Sequence, residues 1–241
     1  MKKVITLAAL VFSNSTFSMG VDTMLLVSDE YGNGVFTVSN EKTIPEFIQT
    51  KIIQVEVQDN QLVRTPYTED NVDDWRVTLT HPKMIVEPGR EKNVGVRSLC
   101  GSKCDFSNDQ YFFVRFEPSP YDPEVNKKSE VSNNFGYRPI FVIPANKQKI
   151  DFSIVVKNDE LVVENNGNTF IKAHIDQCND KVNSECQLTA LSLAGRKRGY
   201  KLPKHIDTKN LMVEVVNHDQ SYRKKVYLDD ENNEISSYSH P

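Results

Sequence analysis

The chain has 241 residues, 38% of them hydrophobic and 26% charged, and a formal net charge of −4 at pH 7. This is the balance of an ordinary globular protein. A slightly acidic chain makes no electrostatic case for nucleic acid or another polyanion, so partners of that class are excluded from the reading.

At the amino terminus, Met1, Lys2 and Lys3 form a positive n-region, and Val4 to Phe12 form an apolar core. Small residues follow at Ser15, Ser18 and Gly20. This is the pattern of a cleavable signal peptide, predicted over residues 1–20 with cleavage after Ser18 or Gly20. The apolar run is about nine residues, against the ~20 needed to span a bilayer. No later stretch is apolar enough to insert, so an exported protein without membrane insertion is expected.

The mature chain reads as short runs of Val, Ile, Phe, Tyr and Thr broken by Gly, Pro, Asn and Asp, which marks strands and turns. Strands are predicted at Thr23–Ser28, Gly34–Ser39, Glu46–Val57, Trp75–Leu79, Lys83–Val86, Lys92–Ser98, Gln110–Phe116 and Pro139–Ile143. Short strands at this density over about 120 residues fit an immunoglobulin-like sandwich. A second set is predicted at Ile150–Val156, Glu160–Glu164, Thr169–Asp176, Thr189–Leu193, Leu211–Val216 and Arg223–Leu228. Between the sets, the polar segment Pro144–Lys149 is the best candidate for a linker. The fold class is therefore all-β, two immunoglobulin-like β-sandwich domains joined by a short hinge, with expected boundaries 21–144 and 145–241. The polar tail Asp229–Pro241 is expected to be disordered.

Four cysteines stand as two close pairs, Cys100 with Cys104 and Cys178 with Cys186. Four cysteines allow three pairings. In an exported chain, local pairing within each loop is the favoured one. Neither spacing is that of a zinc site, and no metal is expected. His81, His174, His205, His218 and His240 are scattered, and no nucleophile, metalloprotease or phosphate-loop motif occurs, so neither catalysis nor a cofactor is predicted.

The most informative residues form an ordered set. Pro82 to Arg97 contains Pro88-Gly89 followed by Val94-Gly95-Val96-Arg97, and Gln110–Glu117, Tyr137-Arg138-Pro139 and Val163–Asn168 come after it. Taken in order, these segments resemble the PapD-like periplasmic pilus assembly chaperones. The segment Asn165–Thr169, the Cys178 and Cys186 pair and Ala194–Arg198 are similar to the alternative, common-pilus branch of the chaperone–usher pathway. The resemblance implies a periplasmic chaperone, not an enzyme, that caps pilus (fimbrial) subunits by donor-strand complementation and delivers them to an outer-membrane usher. It also implies that the donated strand is the last of the first domain and that a basic side chain binds the subunit's terminal carboxylate.

Carried onto this chain, the resemblance makes Val131, Phe135 and Tyr137 the inserted side chains and Arg138 the carboxylate anchor. Two departures stand out. Only part of Val125–Tyr137 alternates apolar residues, and Val21–Val27 contains no Lys or Arg to serve as a first-strand anchor, with Met24 near that place. The alternative reading is a secreted β-sandwich adhesin or surface-binding protein. It would share the export, strands and disulfides but would need no basic cleft beside a donor strand.

Overall fold

The computed structural model describes residues 19–100, 104–120, 135–178, 185–209, 211–228 and 234–240. The first half contains β1 (Met19–Val21), β2 (Leu25–Val27), β3 (Gly34–Asn40), β4 (Glu46–Gln58), β5 (Gln61–Pro66), β6 (Val77–Leu79), β7 (Lys83–Val86), β8 (Arg90–Ser98), β9 (Gln110–Pro120) and β10 (Ile140–Ile143). A 3-10 helix, Glu69–Asp74, precedes β6. The second half contains β11 (Phe152–Lys157), β12 (Glu160–Asn165), β13 (Ile171–Asp176), β14 (Gln187–Ser192), β15 (Lys197–Lys201), β16 (Leu211–Val216), β17 (Arg223–Leu228) and β18 (Glu234–His240). No helix among the described residues is long and apolar enough to cross a membrane.

Each half is a sandwich of two sheets. In the first, β1-β3-β8-β6 faces β2-β10-β9-β4-β5, with β7 also paired to β4. In the second, β11-β12-β15 faces β14-β13-β16-β17-β18. The two-residue period of a strand explains the cores. Phe36 and Val38 of β3, Ile48 and Ile52 of β4, and Phe112, Val114 and Phe116 of β9 all point into the first core. Leu161 and Val163 of β12, Ile171, Ala173 and Ile175 of β13, and Leu211, Val213 and Val215 of β16 do the same in the second.

Several elements differ from the sequence expectation. The first strand is split: β1 pairs with β3 in one sheet, and β2 lies parallel to β10 in the other. The switch occurs at Asp22 and Thr23, whose side chains occupy the local backbone. Asp22 Oδ1 accepts from Thr37 N at 3.1 Å, and Thr23 Oγ1 accepts from Leu25 N at 3.2 Å. Residues 1–18 of the expected signal peptide lie outside the described residues. Its last two, Met19 and Gly20, stand in β1 with the Met19 side chain in the first core.

Strand β5 was not predicted, because Gln61–Pro66 is mostly polar and exposed. Its signal is the turn before it, where Asp59 and Asn60 have φ of 49° and 63°, the left-handed pair of a two-residue hairpin. Asn158 and Asp159 repeat this between β11 and β12. Within Ala194–Arg198, Gly195 turns the chain with φ of 73°, and β15, which has no counterpart among the expected strands, begins at Lys197. The tail was expected to be disordered, yet Glu234–His240 forms β18 on β17. Ladder pairing uses backbone groups, so a polar segment can cover a sheet edge.

The halves meet around an apolar cluster of Val55, Tyr111, Ile140, Val142, Phe170 and Leu193. Beside it, the buried Asp109 carboxylate accepts from Ala145 N at 2.9 Å, Phe170 N at 2.7 Å, Thr169 Oγ1 at 3.0 Å and Tyr111 Oη at 3.1 Å. Burial pushes the Asp109 carboxyl above its ordinary range, and these hydrogen bonds oppose the rise. Gly167 lets the linker come close, because a Cβ there would sit 2.3 Å from the Lys149 carbonyl oxygen.

Cys100 is bonded to Cys104 and Cys178 to Cys186, each across a short loop. The Cys178–Cys186 loop is anchored between β13 and β14, so its closure restricts mainly the unfolded chain. Replacing both cysteines by Ser is expected to lower stability by about 2.5 kcal/mol, from the loop-closure relation for a loop of this length. Urea denaturation under non-reducing conditions measures the loss.

Candidate functional site

Strand β9 carries the site on the face turned away from the core. Phe112, Val114 and Phe116 are buried, so Tyr111, Phe113, Arg115 and Glu117 project from the opposite side. The antiparallel register places Ile53 of β4 beside Phe113, and Lys51 beside Arg115. On the other flank Tyr137 pairs with Phe116 and Ile140 with Phe113, and the same register brings Arg138 beside Arg115.

Three cations, Arg138, Arg115 and Lys51, thus form a row across neighbouring extended segments. Like charges placed side by side on one sheet face repel. One local anion offsets the row: Glu117 takes Lys51 Nζ at 2.8 Å and Arg115 Nη2 at 2.8 Å. Arg138 makes no ion pair among the described residues, and its guanidinium lies over the Phe113 ring, 4.8 Å from the centroid. Arg64 approaches the same ring at 5.9 Å. Arg115, Glu117, Pro118, Gly136, Tyr137 and Arg138 line an open cleft of 590 Å³.

The backbone next to this row is half-paired. Tyr137 exchanges both hydrogen bonds with Phe116, at 2.8 and 3.1 Å, and Pro139 accepts from Val114 N at 3.0 Å. Gly136 is needed here, since a Cβ would meet the Phe116 carbonyl oxygen at 2.5 Å. On the far side β2 covers only Ile140–Val142, with Ile140 N bonded to Met24 O. The N–H groups of Gly136 and Arg138 have no backbone partner among the described residues. Two large apolar side chains flank this open edge, Met24 at 54% exposed and Phe135 at 75%.

Of the residues expected to bind a subunit, Val131 lies outside the described residues, as does most of the expected donor segment. Phe135 projects into solvent, whereas Tyr137 is half-buried and packs against the first core. Arg138 is exposed in the cation row. The sequence reading missed Lys51, Arg115, Arg64 and Phe113. The alternation in Gln110–Glu117 places Phe113 and Arg115 on one face, but only the strand register reveals which cations join them. His81, His174, His205 and His218 lie apart, bonded to Thr80, Thr189, Glu185 and Gln148 respectively.

Residues 21–144 match the family described as the CS5 fimbrial protein N-terminal domain. Comparison with curated protein sequences gives no match. Among solved structures, the chain is similar to one described as the CsuC–CsuE chaperone–tip adhesion subunit pre-assembly complex of Acinetobacter baumannii, with 10% identity and a TM-score of 0.53 over 89% of this chain and 99% of that one. It is similar to the Salmonella enterica SafA pilin–SafB chaperone complex, with 10% identity and a TM-score of 0.53 over 95% and 98%. A third likeness is to the class 5 fimbriae chaperone CfaA, with 11% identity and a TM-score of 0.50 over 92% and 98%. At these identities the structural likenesses establish the fold.

The setting of Arg138 has a direct consequence for stability. An exposed guanidinium whose one described partner is an aromatic face contributes about 0.5–1 kcal/mol. Arg138→Ala is therefore expected to lower the unfolding free energy by no more than about 1 kcal/mol. Chemical denaturation checks this, and a larger loss would mean that Arg138 holds the fold together.

Proposed function

The chain belongs to the CS5 fimbrial family defined by that N-terminal domain, and from this membership we propose that it is a periplasmic chaperone that caps pilus subunits by donor-strand complementation and passes them to an outer-membrane usher. One observation carries the reading: among the described residues, the segment 135–138 leaves one strand edge open beside a row of cations, flanked by exposed apolar side chains. An adhesin needs no such combination.

A pilus subunit lacking one strand of its own sandwich presents two unpaired edges and an apolar groove, a combination prone to aggregation. Donation of a strand answers both problems, because main-chain bonds pair the edges and side chains fill the groove. The first domain, 21–144, donates the segment leading to β10, with Val131 and Phe135 entering the groove. Tyr137, half-buried against the first core, fixes where the segment leaves the chaperone's own sheet. The second domain, 145–241, packs against the first around Val142 and Phe170.

Each backbone bond gained contributes a net ~0.5–1.5 kcal/mol, and burying a Phe side chain contributes about 1.5–3 kcal/mol. A few of each sustain a stable complex without nucleotide. Arg138 receives the subunit's terminal carboxylate in a charge-assisted pair. Arg115 beside it strengthens the local positive field, in which Glu117 is the one anion paired with the row among the described residues.

Coexpression with pilin candidates followed by copurification from the periplasm tests the proposal. Phe135→Asp is expected to abolish copurification, because it would bury an unpaired carboxylate in the groove. Arg138→Ala is expected to weaken capture while leaving the chaperone folded. Normal copurification of both variants would contradict the assigned donor segment and anchor.

A further inference from the structure

Asp109 is a buried ionisable residue that the proposed capture step does not use. It is 7% exposed, and no Lys or Arg pairs with it among the described residues. A buried carboxylate without a cation persists only where hydrogen-bond donors replace its water. Here the donors come from three parts of the chain. Tyr111 belongs to the first sandwich, Ala145 to the linker, and Thr169 and Phe170 to the second sandwich. Oδ2 gathers three of these bonds and Oδ1 accepts the linker amide, so both oxygens are committed. Tyr111 Oη extends the connection by accepting from Ala194 N of the second sandwich at 3.1 Å.

We infer that Asp109, together with Tyr111, is a positioning pair that fixes the angle between the two sandwiches, so the linker after Pro144 does not act as a free hinge. The other contacts at the junction cannot define that angle alone. The apolar cluster around Val142 and Phe170 is non-directional, and its surfaces can slide while staying buried. Asn168 and Lys197 also cross the junction, Asn168 donating to Ser107 O at 2.7 Å and Lys147 O at 2.9 Å and Lys197 N donating to Asn60 Oδ1 at 2.7 Å, but these bonds are exposed and water replaces them readily. The backbone bond that crosses it, Asp109 N to Asn168 O at 2.9 Å, is made by Asp109 itself. The bonds to Asp109 from Ala145, Thr169 and Phe170 are buried. Tilting one sandwich against the other would strand a carboxylate and two backbone amides away from water.

The lock itself is independent of the proposed function. Its consequence, that the second sandwich is held in place for an arriving subunit, rests on that reading. Nitroxide labels at Glu91→Cys and Lys201→Cys report the distance between sandwiches, and the native cysteines are bonded to each other and do not take label. The parent chain is expected to give one narrow distance distribution. Asp109→Asn leaves at least one buried N–H without an acceptor, and Tyr111→Phe removes the bridging hydroxyl while keeping the ring in the apolar cluster. Both are expected to broaden the distribution at least twofold with the far-UV dichroism of the parent. Asp105→Asn, whose carboxylate bonds within its own loop to Ser107 and to no other group among the described residues, is expected to leave it narrow. A general loss of core stability does not move an interdomain distance in the folded protein, so the readout separates positioning from mere support. Should Asp109→Asn fail to fold, Tyr111→Phe decides. A narrow, unshifted distribution in the folded variants overturns the inference. Copurification with pilin, measured in parallel, is expected to fall about tenfold in the broadened variants. If the parent itself captures no pilin, the proposed function fails while the distances still decide the lock.

Discussion

Strand β9 divides its side chains between two faces, and the two-residue period of an extended chain makes that division unavoidable. Phe112, Val114 and Phe116 occupy the middle of the first core. The residues between them, Tyr111, Phe113, Arg115 and Glu117, are thereby forced outward in sequence. Tyr111 meets the second sandwich, Phe113 forms the aromatic platform under Arg138, and Arg115 and Glu117 set the charge of the cleft. Asp109, one residue before the strand, ties down the linker. A one-residue slip of β9 against β4 would exchange the two faces and lose core, junction and cleft together. The close pairing of β4 with β9 over Glu46–Val55 guards against such a slip.

Much of this fold was legible in the sequence. Lys83–Val86, Leu211–Val216 and Arg223–Leu228 match their strands end to end, because each is an apolar or alternating run bounded by turn residues. What escaped was structure whose cause lies elsewhere in the chain. The polar strand β5 exists because a left-handed Asp59-Asn60 turn folds it back onto β4, and β18 because β17 would otherwise present an edge. The site divides in the same way. Arg138 and Phe135 were reached through a family resemblance. Lys51 and Arg115 are separated from it along the chain, and only the register of three extended segments sets them in one row. Likewise, nothing near Asp109 in sequence announces that Thr169 and Phe170 will bond to it.

The structure also assigns rigidity and availability to different regions. The linker passes through a buried junction at Ala145, whose N–H bonds to Asp109, whereas the segment just before β10 keeps one edge open among the described residues. For strand donation this is the useful arrangement. The edge must be free to pair with another chain, and the frame that presents it should lose little freedom on binding. The clustering of Arg138, Arg115 and Lys51 follows similar logic, since side-by-side cations are unfavourable alone and become favourable when an anion arrives.

In the proposed complex, residues 135–138 pair, backbone to backbone, with a subunit. Amide hydrogen exchange on the free chain and on its complex with a pilin reports directly on that pairing. The Gly136 and Arg138 amides are expected to exchange freely alone and to become strongly protected in the complex, while the amide of Tyr137, already bonded to Phe116, changes little. A stable complex in which Gly136 and Arg138 exchange as fast as in the free chain would contradict that pairing.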